Sequence, residues 1–213
     1  MSEINKIISK LEQHSLTPNG VLEDLLEGNK RFVNNKFEKR DYISQKNSAT
    51  NGQYPKAIVL SCVDSRVPVE TVFDQGIGDI FVARVAGNFV NIDILGSMEY
   101  ACKVAGSKLV LVLGHEKCGA VMSACDHVEL GNITSMLRNL KPALDETEVK
   151  GERNSKNSDF VHAVVEKNVL LNIDRIKRES PILRTLEELG EIIIVGGVYE
   201  LETGKIRMLQ LGQ

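Results

Sequence analysis

Four short apolar runs constrain this chain most: residues 57–60, 80–83, 109–113 and 192–195, the last placed before Gly196 and Gly197. A strand with one wet face alternates apolar and polar side chains. Leu109, Val110, Leu111, Val112 and Leu113 offer no polar side, so such strands belong in a parallel sheet covered on both faces. Helix-like stretches lie around and between them, over 67–73, 92–104, 118–124 and 160–177, and over 182–189 with Pro181 at the first turn. This alternation predicts an α/β fold, a central mostly parallel sheet flanked by helices with right-handed crossovers. Upstream, segment 20–35 sets Val21, Leu22, Leu25, Leu26, Phe32 and Val33 at helical spacing, as part of an N-terminal helical arm over about 1–36. The polar stretch 47–55 reads as a loop into the first strand, and 141–158, rich in charge, Asn and Ser, as a mobile surface loop. Segment 205–211 is expected to add a C-terminal antiparallel edge strand or to cross to a second subunit.

At 213 residues and 42% hydrophobic content, the chain suits one domain over 1–213 better than two small ones. A net charge of −3 and a pI near 5.9, without a basic run interleaved with aromatics, argue against a nucleic-acid partner. The first fifteen residues carry charges throughout, so they form neither a secretory signal nor a membrane span, and the expected location is cytoplasmic. Four cysteines without a dense framework fit a reducing compartment, as ligands or core fillers.

In a wound sheet the ligand crevice lies beyond the carboxyl ends of the strands, where two clusters begin. Cys62, Asp64 and Arg66 follow the first apolar run. His115 and Cys118 follow the third, with Gly114 permitting a sharp exit and Cys118 on the first turn of the next helix. Three soft ligands with no fourth Cys or His nearby describe a zinc site with one open position, which is the catalytic pattern. A lone Cys is more often a small buried hydrophobe, and a lone His-x-x-Cys is weak evidence. Both at strand ends make coincidence a poor explanation. Cys102 and Cys125 lack such a setting and read as structural, and His14, His127 and His162, without a matching partner, as solvated or core.

On these motifs the sequence resembles the β-class carbonic anhydrases across nearly its whole length. The matching segments are Cys62-x-Asp64-Ser65-Arg66, His115-x-x-Cys118-Gly119, Arg84-x-Ala86-Gly87-Asn88 and the helical stretch from Leu25 to Phe32. The resemblance implies one Zn2+ per subunit on Cys62, His115 and Cys118, with Asp64 and Arg66 as the dyad beside the open position. It implies attack of zinc hydroxide on CO2 to give bicarbonate and a proton, with activity rising on the alkaline side of neutrality because two thiolates cancel the metal charge. In some members the Asp swings onto zinc, and bicarbonate occupies a pocket of Trp, Arg and Tyr. Here Arg84 and Tyr199 fit, but Val59 stands where the Trp would fall. Gln53 instead matches the constitutively open type, with Tyr100 contributed across a dimer interface and Phe81, Ala86 and Gly119 completing the substrate pocket. A homodimer, often paired into a homotetramer, is the implied assembly. Two alternatives remain at this stage: a CS2 or COS hydrolase using the same zinc chemistry, and a non-catalytic relative that binds bicarbonate or senses thiol oxidation. No histidine is placed as a proton shuttle.

Overall fold

A computed structural model describes residues 7–210. The apolar runs form β1 (Ala57–Ser61), β2 (Ile80–Arg84), β3 (Leu109–His115) and β4 (Ile193–Tyr199), joined by β5 (Ile206–Leu209). The sheet order is β2-β1-β3-β4-β5, parallel throughout except for β5, which runs antiparallel along β4. The expected edge strand is therefore β5; Leu211 lies outside the described residues, as do residues 1–6 of the expected N-terminal arm.

Side chains alternate across the sheet with period two, and each face has its own core. Ile58, Leu60, Val110 and Val112 pack with Val169, Ile173 and Ile176 of a long helix, and Val59, Leu109, Leu111 and Leu113 pack with Val21 and Leu25 of an N-terminal one. The N-terminal arm supplies α1 (Lys10–Ser15), capped by a reciprocal Ser9–Glu12 box, then α2 (Pro18–Val33), capped by Thr17, and α3 (Tyr42–Ala49), capped by Asp41. After β1 come α4 (Val69–Val72) and, after β2, α5 (Ile92–Glu99). Then follow α6 (Gly119–Cys125), α7 (Gly131–Leu137), α8 (Lys141–Glu146), α9 (Ser158–Glu179) and α10 (Pro181–Glu188).

Several expectations are corrected. Gly196 and Gly197 lie inside β4, and Gly114 lies inside β3. A Cβ on Gly196 would sit 2.5 Å from Val169, and one on Gly114 2.8 Å from the same residue, so these glycines let α9 rest close on the sheet. The expected helix over 67–73 shrinks to one turn, opened by Pro68 and ended by Asp74 in the left-handed region at φ 48°. The expected helix over 92–104 becomes α5 plus a π turn, Tyr100–Val104, in which the Ala105 N–H reaches the Tyr100 carbonyl. Residues 141–158 are not a uniform loop: Pro142 in the first turn and buried Ala143 and Leu144 make α8. The rest is tied down by Arg153, which donates to the Leu144 and Thr147 carbonyls and lies 4.8 Å over the Phe160 ring.

The segment Leu25 to Phe32 anchors the arm through polar residues. Gly28 passes so close to Phe73 that a Cβ would meet its carbonyl oxygen at 1.9 Å. The Asn29 amide donates to the Val72 and Gly204 carbonyls and accepts from the Ile206 N–H. Asp74, only 3% exposed, takes hydrogen bonds from Arg31 (2.5 Å), from Arg40 and from the Glu38 N–H (3.2 Å). Burial pushes its carboxyl up, but Arg31 and Arg40 hold it below the usual carboxylate range. A depressed carboxyl stabilises the fold above its unfolded pKa of about 4, and that stability is lost as pH falls through the folded value. Asp74→Asn, which leaves Arg40 buried beside a neutral amide, is expected to cost about 3 kcal/mol at pH 7. The deficit should shrink as pH falls well below 4, as urea unfolding at several pH values will read.

Candidate metal centre

Parallel pairing of β1 and β3, with Ser61 opposite Leu113, brings their carboxyl ends together. Cys62 leaves β1 at this edge, and His115 ends β3. The chain then turns through Glu116 and Lys117, the latter in the left-handed region at φ 50°, which returns Cys118 to the same spot. Cys118 is the N-cap of α6 and not part of its first turn, a one-residue correction. The Cys62 and Cys118 sulfurs lie 3.9 Å apart, and with a His115 ring nitrogen the three donor atoms fall within 4.8 Å of one another, all buried.

This donor set fits zinc. Two sulfurs bound tetrahedrally at about 2.3 Å from one ion would stand about 3.8 Å apart. The His115 ring is fully buried; its Nδ1 donates to the Glu116 carbonyl at 2.8 Å, since a carbonyl can only accept. That fixes the tautomer with a lone pair on Nε2, and among the described residues Nε2 has no hydrogen-bond partner. An unpaired buried nitrogen costs about 1–3 kcal/mol unless something takes its lone pair.

Of the two thiols, Cys62 is the more acidic. Cys62 is drawn down, first by the S–H of Cys118 and then by the N–H groups of Gly87 and Asp64, while burial opposes. Cys118, which keeps the proton and is deeply buried, is pushed up. Both must be thiolates to bind metal. Zinc uptake by metal-free protein is therefore expected to release close to one proton per chain at pH 6, below the roughly neutral pKa of zinc-activated water, read by an indicator dye in weak buffer; release of two would show that neither thiol is ionised beforehand. Cys102 and Cys125 behave differently: burial pushes them up to about 12 and about 11, so both stay neutral in the core.

Asp64 is clamped by Arg66. Arg66 Nε donates to Oδ1 at 2.9 Å and Nη2 to Oδ2 at 2.8 Å, with the Arg66 N–H adding a third bond at 2.9 Å. Arg66 hydrogen bonding is the main reason that the carboxyl falls to about 2, so Asp64 is ionised across the neutral range. Its Oδ2 stands 3.8 Å from His115 Nε2, facing the cluster. Arg66 Nη2 also reaches the Lys117 carbonyl at 3.1 Å, linking the two clusters.

The other expected site residues are dispersed. Arg84 donates to the Cys62 carbonyl (2.9 Å) and the Asp64 carbonyl (2.7 Å), so it braces the segment behind the ligands. Tyr199 pairs with His115 across β3 and β4 and is buried, and Val59 lies in the core. Ala86 is half-buried and Gly119 exposed, its α-carbon facing open space. Phe81 meets Tyr100 edge-on at 6.3 Å, and both line a surface groove with Gln53. Gln53 precedes β1, whereas Cys62 follows it, and five strand residues separate the two ends by roughly 16 Å. Gln53 therefore does not reach the metal cluster of its own chain. His162, expected to be unpartnered, pairs with Glu166 at 2.8 Å and Arg207 at 3.1 Å. Sequence reasoning missed Asn168 and Asn172, two buried amides behind the 87–90 segment that follows β2; polar residues at i and i+4 in the apolar stripe of α9 were the available signal.

The carbonic anhydrase family model matches residues 57–206. Carbonic anhydrase 2 of Mycobacterium tuberculosis is 34% identical over 185 residues, covering 85% of this chain and 87% of its own. The carbonic anhydrase of Mycolicibacterium smegmatis is 33% identical over 188 residues, covering 86% and 89%. The solved β-carbonic anhydrase CafA of Aspergillus fumigatus is similar at a TM-score of 0.68 and 25% identity, covering 79% of this chain and 81% of that one. A chain from the crystal structures of two tetrameric β-carbonic anhydrases of Sordaria macrospora supplies a further likeness of fold, with a TM-score of 0.68 at 23% identity over 90% of this chain and 95% of that one.

Proposed function

This chain belongs to the β-class carbonic anhydrase family, whose members use zinc to hydrate CO2 reversibly to bicarbonate and a proton, and on that premise we propose that Cys62, His115 and Cys118 hold the metal while Asp64 and Arg66 direct the reaction. The observation that carries the assignment is the buried trio of donors with an unpartnered His115 Nε2. Zinc, when bound, supplies a Lewis acid that makes water nucleophilic near neutral pH.

The protein's own groups then set geometry. Asp64 Oδ2 accepts a hydrogen bond from the nucleophile, which turns a lone pair of the attacking oxygen towards carbon. Arg66 holds the carboxylate by a two-pronged bond and keeps it ionised. Because both carboxylate oxygens are engaged by Arg66, Asp64 is committed to the dyad and not to the metal, which favours the open form of the site.

A second copy of the chain completes the pocket in this reading. β2 is an outer strand of the sheet, and beside it runs an apolar groove lined by Phe81, Ala83, Ile92 and Tyr100, with Ile92 83% exposed. Pairing there covers an apolar surface that a lone chain leaves wet. It also offers Gln53 and Tyr100, remote from their own metal cluster, to the partner's substrate, with Phe81, Ala86 and Gly119 nearby. A homodimer is the proposed unit, and a pair of dimers its extension. Four free cysteines, two of them metal donors, suit the reducing cytoplasm as its location.

The test is substrate comparison on zinc-loaded protein: CO2 hydration by stopped flow beside COS and CS2 hydrolysis. CO2 turnover well above the buffer rate is expected. Hydrolysis of the sulfur analogues without CO2 hydration would instead assign the site to them.

A further inference from the structure

We infer that Asn168 and Asn172 of α9 are positioning residues that hold the Gly87 N–H against the sulfur of Cys62, an inference that rests on Cys62 being a metal ligand. α9 buries Val164, Val165, Val169, Ile173 and Ile176 against the sheet, and the two amides interrupt this stripe at 2% and 4% exposure. Burying an amide is unfavourable unless its hydrogen bonds are made. Here they are made, and they lead to one place.

Asn172 Nδ2 donates to the carbonyl (2.7 Å) and to Oδ1 (3.0 Å) of Asn168, so the outer amide orients the inner one. Asn168 Nδ2 then donates to the Gly87 carbonyl at 2.9 Å, and Asn172 Oδ1 accepts the Val90 N–H at 2.7 Å. The pair thus grips both ends of residues 87–90. Gly87 and Asn88 are both in the left-handed region, at φ 83° and 39°, and for Asn88 that conformation costs about 1 kcal/mol or more and must be held by its surroundings. Gly87 has little slack on its other side, since a Cβ there would meet Leu140 at 3.1 Å. Gripped in this way, the Gly87 N–H points to Cys62 Sγ at 3.4 Å.

A hydrogen bond to a ligating thiolate withdraws electron density from sulfur and fixes its direction, and such outer contacts tune metal affinity and the chemistry of the ion. The amides therefore act on the metal through the backbone. Neither touches substrate or the reacting atoms.

The test is cobalt substitution in the full-length protein, with Asn168→Ala and Asn172→Ala compared with Ile176→Ala, a core truncation on the same helix. Wild-type protein is expected to show a thiolate-to-cobalt charge-transfer band. In both Asn variants this band should move to lower energy as sulfur becomes a stronger donor, and, because the sulfur and its loop lose their fixed direction, transfer of the metal to a chelator should speed up by roughly 10-fold or more. Ile176→Ala should lose comparable thermal stability with the band and the transfer rate unchanged. If one Asn variant does not fold, the other is read alone. Asn variants that shift neither quantity more than Ile176→Ala overturn the inference and leave the metal site standing. Absence of any thiolate band in the wild type removes the site itself.

Discussion

Cys118→Ala protein is expected to retain almost no zinc at sub-micromolar free metal and to hydrate CO2 at the buffer rate, while Cys125→Ala keeps full metal content and activity. Both residues are buried thiols near α6, and composition does not separate them. Position does: Cys118 lies 3.9 Å from Cys62 beside an unpartnered imidazole nitrogen, whereas Cys125 sits among apolar side chains. Removing one of three protein ligands should weaken binding by more than the roughly 10–100-fold that follows loss of an outer contact. A small core truncation at Cys125 should cost about 1 kcal/mol of stability and nothing in metal. Metal analysis after gel filtration, with activity on the same samples, reads both.

Asp64→Asn separates the dyad from the ligands. The amide is close to isosteric, so zinc content should stay near one per chain while turnover falls about 100-fold. Two effects combine. The amide loses the charge that Arg66 pairs with, and the group facing the cluster can present an N–H donor where the nucleophile needs an acceptor. Arg66→Lys should fall between wild type and Asp64→Asn, because an ammonium supplies charge without the two-pronged geometry. An Asp64→Asn protein that loses its zinc along with its activity would make Asp64 a metal ligand and reverse the assignment of an open site.

Much of this site is legible in the sequence because the ligands stand directly at strand ends. Four apolar runs fix a parallel sheet, a parallel sheet places its crevice at the carboxyl ends, and Cys62, His115 and Cys118 are what the chain puts there. What escaped has physical reasons. Gly114 reads as an exit because its real partner, Val169 on α9, is more than fifty residues away in the chain. α8 escaped because its short apolar face, Ala143 and Leu144, is diluted by charge. Arg84 reads as a pocket residue, but its guanidinium is spent on the Cys62 and Asp64 carbonyls. Asn168 and Asn172 look like ordinary polar interruptions until the turn at Gly87 is seen beneath them.

The most direct measurement is the pH profile of CO2 hydration by zinc-loaded protein in stopped flow, over about pH 6.5 to 9, a range that brackets the roughly neutral pKa of zinc-activated water. Asp64 is held at about 2 by Arg66 and does not titrate in this window. The account predicts turnover already measurable at neutral pH and rising smoothly as a single ionisation. Activity that is absent at neutral pH and appears abruptly above about pH 8 would contradict it, placing Asp64 on the metal in the resting enzyme.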